Sequence, residues 1–112
     1  MRIVNRKEFL SLPEETLFSK YEPCCFEPIL IKGETLANDF IFQSINDAIK
    51  WGDPEEFSDV LFKAEKSGDS FDIDLDCTER DGMFDEDQLF AVWEKKDLAQ
   101  LIDRLNTALK AH

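Results

Sequence analysis

The sequence predicts an α+β fold, a mostly antiparallel sheet of about five strands with three helices, in the order αβββαββα. Three capping boxes mark helix starts, and runs of aromatic and β-branched residues mark strands. Residues 70–77, SFDIDLDC, alternate aspartate with apolar side chains as a half-buried strand does. With 112 residues, 43% hydrophobic and including 10 Phe, the chain is sized for a single compact α+β domain over 1–112.

In a capping box the cap side chain accepts an orphan backbone N–H, and the residue three positions on reaches back. Asn5 with Glu8 opens a short helix that stops near Leu12, before Pro13. Asp53 with Glu56 opens a second, with Pro54 at its first position. There Phe57, Val60, Leu61 and Ala64 share one face, and Ser67-Gly68 ends the helix. Asp97 with Gln100 opens a third, whose stripe of Leu98, Leu101, Ile102, Leu105 and Leu109 is expected to pack across the sheet.

Residues 17–22, 26–32 and 36–45 read as an antiparallel meander, with Gly33-Glu34 turning between the last two. Pro23 and Pro28 lack ladder donors, so the region 24–32 is expected at an edge or a bulge. Residues 70–77 and 88–94 supply two more strands, joined by the loop 78–87.

The net charge of -12 is concentrated. Residues 53–87 hold 14 Asp and Glu against 3 Lys and Arg, while the remainder holds 11 against 10. Such a field repels nucleic acid and anionic membranes, and it favours a basic protein partner by speeding encounter. In the strand reading, Phe71, Ile73, Leu75 and Cys77 face the core and Asp72, Asp74 and Asp76 form an outer row, spaced by about 6.7 Å. Each neighbouring pair repels by roughly 0.6 kcal/mol in water, so the row has a small cost that solubility does not require. Glu79, Asp81, Asp85, Glu86 and Asp87 extend it, with Phe84 and Phe62 as candidate apolar anchors and core packing the commoner role for Phe62. A solvated face with helix capping is one account of this acidity, and an acidic docking surface is the other, which the concentration of charge favours. Carboxylates at this spacing approximate the phosphates of one nucleic-acid strand.

Other chemistries fit less well. Placing Gly82 at the sixth position of a calcium loop puts Cys77 at the first, where an aspartate belongs. The one histidine, His112, supplies neither a metal set nor a base for a cysteine nucleophile. No catalytic residue, metal or cofactor is therefore expected. Cys24 and Cys25 are adjacent, about 3.8 Å apart at Cα, which disfavours a bridge; reduced, half-buried thiols are expected. Charges at Arg2, Arg6, Lys7 and Glu8 precede any signal-like apolar run, and no segment approaches the ~18 apolar residues of a membrane span. A cytoplasmic, soluble protein is expected.

Residues 20–43, KYEPCCFEPILIKGETLANDFIFQ, together with residues 80–95, RDGMFDEDQLFAVWEK, resemble small acidic proteins encoded in bacteriophage and prophage genomes. The resemblance implies a host-cell setting and a role as an inhibitor of host machinery or defence, including anti-CRISPR and anti-restriction functions. The expected function is a non-enzymatic inhibitor that docks Asp72, Asp74, Asp76, Glu79, Asp81, Phe84, Asp85, Glu86 and Asp87 on a basic, nucleic-acid-binding host protein. An immunity-type protein for a cationic nuclease toxin, and an oligomerising protein using Trp51 and Trp93, remain as alternatives. The oligomeric state is left open.

Overall fold

The computed structural model describes residues 1–49, 53–76 and 78–112. Within them the chain is a mixed α+β fold with an antiparallel sheet of seven strands and three helices. In chain order the elements are β1 (Arg2–Val4), α1 (Arg6–Leu10), β2 (Leu17–Glu22), β3 (Cys25–Phe26), β4 (Leu30–Leu36) and β5 (Asp39–Ser44), then α2 (Pro54–Ser67), β6 (Glu79–Arg80), β7 (Leu89–Val92) and α3 (Lys95–Lys110). The sheet runs β1-β7-β2-β4-β5-β6, with β3 paired only to β2.

The five-strand order is corrected at several points. β1, too short to register as a hydrophobic run, pairs with β7 through Ile3↔Ala91. The 26–32 run divides into β3 and β4 around Pro28, which has no N–H to continue a ladder. Gly33-Glu34 is a register shift inside β4, and the hairpin turns instead at Ala37-Asn38, closing Leu36 on Asp39. Gly33 suits the close approach there, since a Cβ would stand 3.1 Å from the Ile41 carbonyl oxygen, a tight contact. The largest change concerns residues 70–77. They form no strand among the described residues: Ile73 makes one isolated bridge with Ile49, and Asp76 N–H donates to Asp74 Oδ1. Cys77 lies outside the described residues, as does Trp51.

Helix α1 opens as its sequence predicts, with Glu8 N–H donating to Asn5 Oδ1 at 2.9 Å. It drives Phe9 into the sheet, where its ring stacks on Phe90 at 3.9 Å and meets Phe18 at 4.6 Å and Phe40 edge-on at 4.9 Å. Val4, Leu30 and Val92 complete the core cluster. Sheet register places Phe18, Lys20, Phe90 and Val92 on one face, with Leu30, Lys32 and Phe42 following across β4 and β5. Helix α2 begins on the Asp53 cap and ends at left-handed Gly68; Phe57, Val60, Leu61 and Ala64 form its half-buried face. Helix α3 starts three residues earlier than the spacing predicts. Asp97 caps the Glu94 N–H, and the Met1 amino group bonds Glu94 and holds its carboxyl below the usual range. The apolar stripe of α3 does not pack across the sheet, because Leu98, Ile102, Leu105 and Leu109 are exposed.

Lys32 sits 1% exposed within this core. Its ammonium donates to Thr35 Oγ1 at 2.7 Å and to the Gly33 carbonyl at 3.2 Å, and it lies 5.8 Å from the Phe9 ring centroid. Burial pushes its pKa down from 10.5, with Glu14 opposing. Its charge therefore opposes folding below the folded pKa, and the penalty is relieved as pH rises toward 10.5. Lys32→Met is expected to melt at neutral pH no lower than wild type and to lose the wild-type gain in stability on the alkaline side, read by thermal denaturation across pH. A large fall in melting temperature at neutral pH would show the ammonium to be a net stabiliser. Phe9→Ala, which empties the centre of the ring cluster, is expected to cost about 3–5 kcal/mol in urea denaturation.

Candidate docking surface

The hairpin turn at Ala37-Asn38 delivers Asp39 to the start of β5, fully buried. Its carboxylate accepts from Arg80 Nε at 2.6 Å and from the Gly82 N–H at 3.1 Å, and stands 3.9 Å from Arg6 Nη2. Gly82, at φ 65°, presents that N–H from a backbone conformation other residues resist. The Arg80 hydrogen bond holds the Asp39 carboxyl below its ordinary value of 3.8, aided by backbone N–H donors and opposed by burial. Two residues after β5's partner strand begins, Asp81 turns inward as well. It takes Lys20 Nζ at 2.6 Å and stands 3.7 Å from Arg6 Nη1. Arg6 itself donates to the Asn38 carbonyl at 2.6 Å and lies 5.7 Å from the Phe40 ring centroid.

This internal network corrects one predicted contact. Asp81, expected on the exposed acidic face, instead has a buried side chain whose charge is met by Lys20 and Arg6. The other predicted residues are exposed except Asp74, which is half-buried. Asp72, Asp74 and Asp76 lie on a segment tethered to residues 48–49 by the Asp74 N–H to the Ala48 carbonyl. Asp85, Glu86 and Asp87 lie in the loop before β7, where Asp87 N–H donates to Asp85 Oδ1 at 3.0 Å.

Two hollows gather part of this set. Phe84 and Glu86 line a cleft of about 380 Å³ together with Arg6, Lys7, Leu10 and Asn38. Phe84 holds a left-handed φ of 52°, which costs a non-glycine residue about 1–2 kcal/mol. Glu79 lines a second hollow, of about 490 Å³, with Lys20, Glu27, Asp47 and Gln88. Register sets Glu79 opposite Phe42, so this acidic hollow opens on the core face of the sheet beyond α1. Glu27 and Asp47 were not singled out by the sequence, since they fall outside the acidic tract. Arg6, Asp39 and Arg80 carried no signal that distinguished internal partners from solvated charges.

The apolar residues of SFDIDLDC are exposed too. Phe71, Ile73 and Leu75 are between 42% and 61% accessible, so the segment shows solvent both its carboxylates and its apolar side chains. Phe62 is exposed as well, against its expected place in the core. Cys24 and Cys25 are free and exposed, not half-buried, since the turn that carries them lies off the main sheet path. Among the described residues no helix is long and apolar enough to cross a membrane. No protein-family model, curated protein or solved structure matches the chain.

The lowered Asp39 pKa has a defined sign. Its stabilisation is present above the unfolded value near 3.8 and is lost as pH falls below that toward the folded pKa. Asp39→Asn is expected to lower the melting temperature at neutral pH and to flatten its fall below about pH 4, the two curves converging in acid. Parallel curves over that range would remove Asp39 from the acid transition.

Proposed function

We propose that the chain is a non-catalytic binding protein that docks an acidic surface on a basic site of a partner protein and blocks that site to nucleic acid. The observation that carries the reading is the exposure of Phe71, Ile73 and Leu75 between exposed Asp72 and Asp76. Solvated acidity alone accounts for carboxylates in water. It does not account for three large apolar side chains held among them, where each forgoes part of about 1.5–3 kcal/mol of burial. Apolar anchors within a charged rim are how protein interfaces combine affinity with steering.

Asp85, Glu86 and Asp87, with Phe84 beside them, supply a second acidic and aromatic cluster of the same kind. The partner's Lys and Arg would meet carboxylates in place of phosphates, so binding would weaken with salt as phosphate contacts do. A phage or prophage origin, and a host nucleic-acid-binding protein as the target, agree with this chemistry. The cytoplasm of the host is the corresponding location.

The test is capture from bacterial lysate on immobilised wild type beside Asp72→Asn/Asp74→Asn/Asp76→Asn. Recovery of the specific partner is expected to drop at least about tenfold in the variant, the effect of losing roughly 1.4 kcal/mol. It is also expected to fall when duplex DNA is added or salt is raised. Equal recovery by both proteins removes the segment from the interface. Indifference to both DNA and salt removes nucleic-acid mimicry.

A further inference from the structure

The exposed stripe of α3 has a spacing that specifies what covers it. Leu98, Ile102, Leu105 and Leu109 follow steps of four, three and four, the d-a-d-a seam of a coiled coil, and they are from 37% to 73% exposed. Leu101 and Ala108, on the neighbouring flank, are half-buried. The stripe therefore lies beside that half-buried flank and is not covered by it.

Surface area gives the scale of what is missing. The chain exposes 8213 Å², about 1,900 Å² more than the roughly 6,300 Å² expected of a 13.0 kDa monomer. Its radius of gyration is 16.1 Å, against about 13 Å for a compact domain of this length. That excess is spread over the chain, with exposed apolar residues of the acidic segment and of α2 contributing, and the α3 stripe is one part of it.

Charge decides between a second copy and a different occupant. Residues 95–110 carry four Lys and Arg against two Asp, a net of +2, so the rest of the chain carries -14. The positions flanking the seam are Ala99, Leu101, Asn106 and Ala108, none of them charged. Two identical stripes can meet with no like charge beside the seam, whereas two copies meeting through any acidic face would repel. An antiparallel, two-fold pairing sets Ile102 opposite Leu105 and Leu98 opposite Leu109, and opposes the two helix dipoles. We infer that the chain forms a symmetric dimer in which the 98-102-105-109 stripes of two α3 helices pack against each other.

The purified full chain at about 100 µM, where even a micromolar dimer is largely formed, is expected to show twice the 13.0 kDa chain mass by light scattering. Ile102→Glu/Leu105→Glu is expected to halve that mass while keeping its far-UV circular dichroism, and Phe62→Glu on α2 to leave it at two chains. If the double variant unfolds, Ile102→Ala/Leu105→Ala replaces it, with an expected rise in dissociation constant of at least about tenfold. A one-chain mass for wild type overturns the dimer and leaves the stripe to a different protein. A two-chain mass that survives the α3 substitutions, or that Phe62→Glu abolishes, overturns α3 as the interface. None of these readouts involves the acidic segment, so the outcome is independent of the docking proposal.

Discussion

The buried carboxylate of Asp39 is the constraint around which this structure is arranged. A charge with no solvent must be paired and fully hydrogen-bonded, or it becomes one of the costliest groups in a protein. Asp39 meets that demand with groups from two distant parts of the chain: Arg6 on α1, and Arg80 with the Gly82 N–H at the end of β6. Satisfying one carboxylate thus fixes how α1 lies on the sheet and where the edge strand ends. Phe9 then enters the ring cluster from a helix already held by its neighbour Arg6, and Phe40, next to Asp39, receives both the Phe9 ring and the Arg6 guanidinium.

The same pairing sorts the acidic residues into two populations. Asp39 and Asp81 are each paired with cations, the buried Arg6 and the more exposed Lys20 and Arg80, so they add little to an outward field. Among the described residues, Asp72, Asp76, Asp85, Glu86 and Asp87 pair with no cation at their exposed positions. Because Arg6, Lys20 and Arg80 are drawn toward Asp39 and Asp81, these cations are not free to offset the surface acidity. Internal satisfaction of two aspartates therefore sharpens the negative character of what remains outside.

Local signals were legible where the physics is local. The caps at Asn5 and Asp53, Pro54 and left-handed Gly68 each act within a few residues; α2 begins and ends where they dictate, and α1 begins at its cap but ends at Leu10, two residues before the expected stop. The α3 start lies three residues earlier because Glu94 and Asp97 form their own capping box, and the Met1 amino group, 93 residues from Glu94, adds a long-range partner to both carboxylates. SFDIDLDC shows the limit from the other side. Period-two alternation describes a segment that is able to bury one face, but burial requires a neighbouring strand, and among the described residues Ile49 alone pairs with it. Lys32 is the converse: a charged residue in a strand reads as solvent-facing, yet register with Phe42 turns it into the core.

Exposed apolar surface in this chain falls into two kinds, distinguished by what surrounds it. Phe71, Ile73 and Leu75 lie among aspartates, so a partner covering them must bring positive charge or desolvate carboxylates without compensation. The α3 stripe is bordered by uncharged residues on a helix of net +2, so a partner covering it need bring only a matching apolar seam. A second copy meets the latter condition and fails the former, since its own acidic segment would oppose an identical one. If both proposals hold, self-association and recognition use different surfaces, distinguished by the charge that borders each.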